Sequence, residues 1–228
     1  MNDNILFKYM DRLQVEPDIK KESGPVITIS RECGCFAGEI AEKLALSLTE
    51  ENLKAKKEKW NWISKEIIND AATKLQTNSN QIEHFFKGES YKFLVDIITS
   101  FSKPYASDDL IKRMVTKVVK TYAEEGNVII VGRAGFAITK NIPRSLHIKL
   151  IAPQDWRVKS VAKRYNLTEQ DAKKRIEDIG NKRDSFVKLF YGKEHDDNVF
   201  HMVLNREKLS ADEVVEQIML LAKEKKLY

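Results

Sequence analysis

The stretch PVITISRECGCFAGEIA, residues 25–41, decides how the rest of the chain is read. Val26 to Ile29 is a short run rich in β-branched residues, the composition of a buried strand. Small and glycine residues follow, and a helical pattern begins at about Gly38, with Ile40, Ala41, Leu44, Ala45 and Leu48 on one face. A strand, a tight glycine loop and a helix together point backbone N–H groups and a helix N-terminus at an anion, so the stretch predicts a nucleotide-phosphate site. A β-to-α turn whose glycines serve only geometry is the competing reading. The pattern departs from G-x-x-x-x-G-K-S/T. With Phe36 and Ala37 in the last Gly and the Lys slots, Arg31 takes the first Gly slot and Gly38 the hydroxyl slot.

Outward from this stretch, strand and helix patterns alternate, which predicts an α/β parallel sheet. Residues 60–63 read as a short second strand, and Asn127 to Val131, between Gly126 and Gly132, as a central strand buried on both faces. Leu146, Ile148 and Leu150 alternate in a fourth strand ending at Ala152-Pro153, and Val199 to Leu204 read as the last. Thr168 with Asp171, and Ser210 with Glu213, are capping-box pairs that start helices. Residues 64–125 hold Gly88 and Pro104 as their sole breakers and read as a largely helical insertion. Residues 1–24 carry Ile5, Leu6, Tyr9, Met10 and Leu13 at helical spacing, an extension that packs on the core or on a second subunit, which would make a homodimer.

The chain has 228 residues, 42% of them hydrophobic and 32% charged, enough for one α/β domain with a real core. No apolar run approaches the roughly 20 residues of a membrane helix. Asp3 and Asp11 interrupt the first residues, so no signal peptide is expected and the reading is cytoplasmic. A net charge of +5 suits phosphate-bearing ligands, while no aromatic-basic motif indicates a specific nucleic acid. Cys33 and Cys35 are the chain's two cysteines, and no histidine stands at metal spacing with them. They read as small residues lining a turn.

The same opening stretch and Val128-Ile-Ile-Val-Gly132-Arg133-Ala134 resemble the cytidylate kinase-like proteins, a branch of the P-loop nucleoside monophosphate kinases. That family opens S-R-E-x-G-S-G-G-x-x-I-A and has a later V-I-V-G-R-G. Ser30, Arg31, Glu32, Gly34, Ile40 and Ala41 match the first motif, and Gly132 and Arg133 the second. Cys35 replaces a serine, and Phe36 and Ala37 replace two glycines. Ser64 and Gly180 stand about where the family has aspartates.

The resemblance implies a P-loop NTPase-like three-layer parallel sheet. It divides the chain into an extension, 1–24, and a kinase-like domain, 25–228, with an acceptor-binding insertion at 64–125 and a lid at 163–192. The implied activity moves the γ-phosphoryl group of ATP, carried with Mg²⁺, to a pyrimidine nucleoside monophosphate. Backbone groups of Gly34, Cys35, Phe36, Ala37, Gly38 and Glu39 would bind phosphate. Arg31, Arg133, Arg175 and Arg183 would supply catalytic charge, and Glu32 would orient Arg31 or a metal-bound water; no direct protein cage for a metal is expected. Two alternatives stand beside it: a nucleotide-binding regulatory protein of the same fold without turnover, and an α/β protein that binds another anion.

Overall fold

The computed structural model describes residues 23–64, 108–192 and 196–228. Residues 1–22 of the N-terminal extension and most of the helical insertion lie outside the described residues. The chain divides into two compact units, residues 23–64 with 116–228, and residues 1–22 with 65–115. Every described strand belongs to the first.

The elements run β1 (Val26–Arg31), α1 (Ala37–Lys54), β2 (Asn61–Ile63), α2 (Asp108–Glu125), β3 (Val128–Val131), α3 (Gly135–Thr139), β4 (Ser145–Ile151), α4 (Gln154–Tyr165), α5 (Glu169–Tyr191), β5 (Met202–Asn205) and α6 (Ala211–Glu224). The five strands form one sheet in the order β2-β3-β1-β4-β5, and every pairing is parallel. β1 therefore sits in the middle. The chain travels to one side of it for β2 and β3, then to the other for β4 and β5. Ligands of open parallel sheets lie at the carboxyl ends of the strands beside such a reversal.

Ile27, Ile29, Ile129, Val131, Leu146, Ile148 and Leu150 point to one face, against Ile40, Ala41, Leu44 and Leu48 of α1 and Val214, Val215 and Ile218 of α6. Alternation of side chains along each strand sends Thr28 and Ile130 to the other face. There a Cβ on Gly135 of α3 would meet Ile130 Cγ2 at 3.1 Å and Thr28 Cγ2 at 3.3 Å, so α3 rests directly on the strands. Thr28 also holds a buried polar cluster: its Oγ1 lies 2.9 Å from His147 Nδ1, with Ser145 Oγ 3.3 Å from Nε2. His147 N donates to His201 Nδ1 at 3.0 Å. Burial, with His201 and Lys225 nearby, pushes the His147 imidazole down to about 4, so the ring is neutral and exchanges hydrogen bonds through both nitrogens.

Both capping pairs form. Thr168 Oγ1 accepts from Asp171 N at 3.1 Å, and Ser210 and Glu213 close a reciprocal box at the start of α6. Two expectations change. The last strand begins at Met202, because Asp196 accepts from Asn198 N and winds Asp197–Val199 into a 3-10 turn. The third strand begins at Val128, because Asn127 is left-handed at φ 49°.

Candidate functional site

The loop between β1 and α1 is held open by its own backbone. Cys35 N donates to Glu32 O at 3.3 Å and Glu39 N to Phe36 O at 3.2 Å. The N–H groups of Gly34, Phe36, Ala37 and Gly38 meet no backbone acceptor among the described residues. These are the orphan donors of a helix start and the turn before it, and they carry partial positive charge. Gly34 stands at φ +99°, and a Cβ there would meet Arg157 Cβ at 2.9 Å and Arg157 Cα at 3.2 Å. The turn needs glycine for its conformation and for the closeness of α4.

A bulky side chain disfavours positive φ, yet Phe36 sits at φ 48°, ψ 49° as the N-cap of α1. The left-handed conformation costs about 1–2 kcal/mol. In exchange the ring packs against a cluster of Val158, Val161, Ala172 and Ile176 from α4 and α5 with Cys33 of the loop itself. The Arg164 guanidinium lies 4.4 Å above its centroid. Half-burial of an aromatic ring stabilises by about 1–2 kcal/mol, and the cation adds a fraction more. The terms balance, and the ring is carried to the α4–α5 hairpin.

The two cysteines of the loop go to different places. Cys35 joins the main core and Cys33 the α4–α5 cluster. Burial, and then Glu32, pushes the Cys35 thiol up to about 12. It is a packed thiol, not a nucleophile.

Glu32 is committed to holding the loop on the sheet. Its Oε2 accepts from Ala152 N at 2.8 Å and faces Arg157 Nε at 3.4 Å. Arg157 in turn donates from Nε to Ala152 O at 2.9 Å and from Nη1 to Cys33 O at 3.4 Å. This half-buried strut ties the ends of β1 and β4 to the first turn of α4. Sequence reasoning passed over Arg157; an arginine one turn after the Ala152-Pro153 break, beside a strand's carboxyl end, was the available signal.

Three of the four arginines expected to act together converge. Arg31 crosses from the end of β1 to the end of β3, where a Cβ on Gly132 would come 1.9 Å from its Nη1. Gly132, Arg133 and Ala134 are all left-handed, at φ 75°, 55° and 51°. Glycine adopts this conformation freely, but in Arg133 and Ala134 it is strained and persists only where the surroundings over-determine it. Arg133 carries its guanidinium 5.5 Å from the Phe186 ring centroid, on α5. Arg183, one turn earlier on α5, donates from Nη1 to Arg31 O at 3.4 Å. Arg175 is elsewhere: it lies about 12 Å back along the helix, exposed, with its guanidinium 4.6 Å from the Tyr165 ring centroid.

The arrangement fits a chain of phosphates: open amides, the positive end of α1 and flanking guanidinium groups. At the slot where a loop hydroxyl would meet Mg²⁺ it offers none. The first turn of α1 is Ala37, Gly38 and Glu39, without a hydroxyl. Among the described residues no three His, Cys, Asp or Glu side chains gather into a metal site. No described helix is long and apolar enough to cross a membrane.

The model of the cytidylate kinase-like family matches residues 26–208. No curated protein gives a significant match. Among solved structures, an uncharacterised protein from Eubacterium ventriosum is similar, with a TM-score of 0.62 and 18% identity over 88% of this chain and 98% of that one. Shikimate kinase from Acinetobacter baumannii in complex with shikimate gives 0.49 and 13% over 91% and 97%. Dephospho-CoA kinase from Campylobacter jejuni gives 0.41 and 14% over 89% and 97%. The first likeness is one of fold. With the strand order, it bears out the expected α/β fold with an all-parallel sheet.

Proposed function

The chain belongs to the cytidylate kinase-like family, and from that premise we propose that it transfers the γ-phosphoryl group of ATP to a nucleoside monophosphate, with a pyrimidine nucleotide as acceptor. The observation that carries this reading is the loop of residues 32–39. Its ring-bearing residue, Phe36, is drawn onto the α4–α5 side, while the amides of Gly34, Phe36, Ala37 and Gly38 keep no backbone acceptor among the described residues. A loop built only as a turn has no need to hold a phenylalanine in a strained conformation and leave donors open.

Phosphoryl transfer asks the protein for alignment, exclusion of water and positive charge against the transferring oxygens. In this reading the open amides of Gly34, Phe36, Ala37 and Gly38 hold the donor phosphates, Cys35 N and Glu39 N being bonded within the loop, and Arg31, Arg133 and Arg183 supply charge from β1, β3 and α5. Glu32 is a positioning residue, since it acts through Ala152 N and Arg157. Mg²⁺ would be held by phosphate and water rather than by the described side chains. We assign acceptor binding to residues 64–125 and the lid to residues 163–192, and place the protein in the cytoplasm.

One observation favours a second reading, a regulatory nucleotide-binding protein of this fold: Ala37 and Gly38 stand where the loop lysine and hydroxyl would be. A coupled assay for ADP release with CMP, dCMP, UMP and AMP separates the two. Turnover with a pyrimidine monophosphate supports the kinase. Thermal stabilisation by ATP without turnover supports the regulatory protein, since a ligand of the folded state at about a hundred times its Kd adds about 2.7 kcal/mol. Neither turnover nor stabilisation overturns both, and leaves a loop for another anion.

A further inference from the structure

The proposed donor site has an alanine where the phosphate-loop lysine would place its charge. We propose that Arg164, on the last turn of α4, is the cation of this loop, a phosphate-binding residue seated on the ring of Phe36. The inference rests on the nucleotide-binding reading above and adds a residue to it.

Three features that are separately odd have one account in this assignment. Ala37 lacks the charge. Phe36, immediately before it, is held left-handed, which puts its ring against the last turn of α4. The guanidinium of Arg164 lies 4.4 Å from that ring's centroid. Stacking on an aromatic face fixes the plane of a guanidinium and leaves its edge N–H groups open to a bidentate oxygen ligand.

The acid that competes for Arg164 is Glu39 in the first turn of α1, with Nη1 to Oε2 at 3.6 Å and about half of each side chain exposed. That distance is beyond a normal hydrogen bond, and an exposed pair of this kind is weak. Arg164 therefore keeps donors for an anion bound at the start of α1, the turn that Glu39 shares. Arg157, on the first turn of the same helix, is spent on the backbone, donating to Ala152 O and Cys33 O, while Arg31, Arg133 and Arg183 bring their charge from β1, β3 and α5. An arginine whose role was only to neutralise Glu39 would not need a strained aromatic residue beneath it.

The test is calorimetric titration of ATP and of inorganic tripolyphosphate into the full chain and four variants, at two salt concentrations. R164Q is expected to weaken both ligands about ten- to hundred-fold, the range of a lost charged hydrogen bond. The deficit should shrink at high salt, because screening removes the contribution of a charge and not that of loop shape. R164K should recover part of the loss, since it keeps the charge without the planar stack. F36L should behave like R164K, and K159Q, an exposed charge on the same helix, should bind within about twofold of the parent by the same screening. If R164Q binds as tightly as K159Q, this inference is overturned and nucleotide binding stands. Failure of the parent chain to bind either ligand overturns both.

Discussion

Gly34→Ala should destabilise the protein through two effects that other glycines separate. The first is conformational: Gly34 stands at φ +99°, and an L-residue forced into the left-handed half of the map loses about 1–2 kcal/mol. The second is steric. The new methyl would lie 2.9 Å from Arg157 Cβ, 3.2 Å from Arg157 Cα and 3.2 Å from Arg157 O. These atoms belong to the frame of α4 and cannot swing aside, so the overlap adds about 1–3 kcal/mol. About 3 kcal/mol in total lowers the melting temperature of a chain this size by about 6–12 °C.

Gly192→Ala isolates the first effect, because φ there is +80° and nothing lies within 4 Å of the added methyl; its loss should stay near 1–2 kcal/mol. Gly38→Ala isolates neither. Its methyl would meet Trp62 Cη2 at 3.8 Å, an ordinary contact, and alanine favours a helix by up to about 1 kcal/mol. Scanning calorimetry of the three variants should rank Gly34→Ala well below Gly192→Ala, with Gly38→Ala at or above the parent. If Gly34→Ala loses no more than Gly192→Ala, the docking of the loop on α4 is not as described.

The neutral His147 ring makes stability fall in acid. Its folded value is about 4 against an ordinary 6.5, so the unfolded chain binds the extra proton between them. The contribution is full above about pH 6.5 and is lost progressively toward pH 4, on the order of 3 kcal/mol. Denaturant melts of His147→Gln should be flatter over that window; an equally steep decline would count against the assignment. With its thiol pushed up to about 12 by burial, Cys35 should resist iodoacetamide at pH 8 in the folded protein and react once urea unfolds it. Rapid labelling of Cys35 in the native state would contradict its place in the core. Ser210→Ala removes one half of the capping box at α6 and should cost about 1 kcal/mol; a loss under about 0.3 kcal/mol would mean that the box adds nothing at that end. Arg133→Ala should weaken ATP binding more than Lys56→Ala, because Lys56 is exposed beyond the end of α1. Equal effects would argue against a phosphate crevice at the ends of β1 and β3.

What was legible in the sequence was local. Four consecutive β-branched residues, Val128 to Val131, can hardly avoid a buried parallel strand, and they form one. A hydroxyl three residues before an acid satisfies orphan N–H groups whatever the helix packs on, so Thr168 and Ser210 start α5 and α6 as expected. The loop between β1 and α1 was equally plain from small residues between a strand and a helix.

Tertiary structure decided the rest. A left-handed Phe36 is unfavourable by about 1–2 kcal/mol in any local accounting. It exists because α4 and α5, some 120 to 140 residues later in the chain, offer its ring a cluster and a guanidinium. The same distance hid Arg157 and Arg164, whose sequence neighbours are those of an ordinary charged helix, and only packing sets them on the loop. It also separated Arg175 from Arg183: both read alike on one helix, but two turns of rise carry one to Tyr165 and the other to the end of β1. Short-range propensities fix which segments become strands and helices, whereas the site is made where segments distant in the chain meet, and its strain is offset only there.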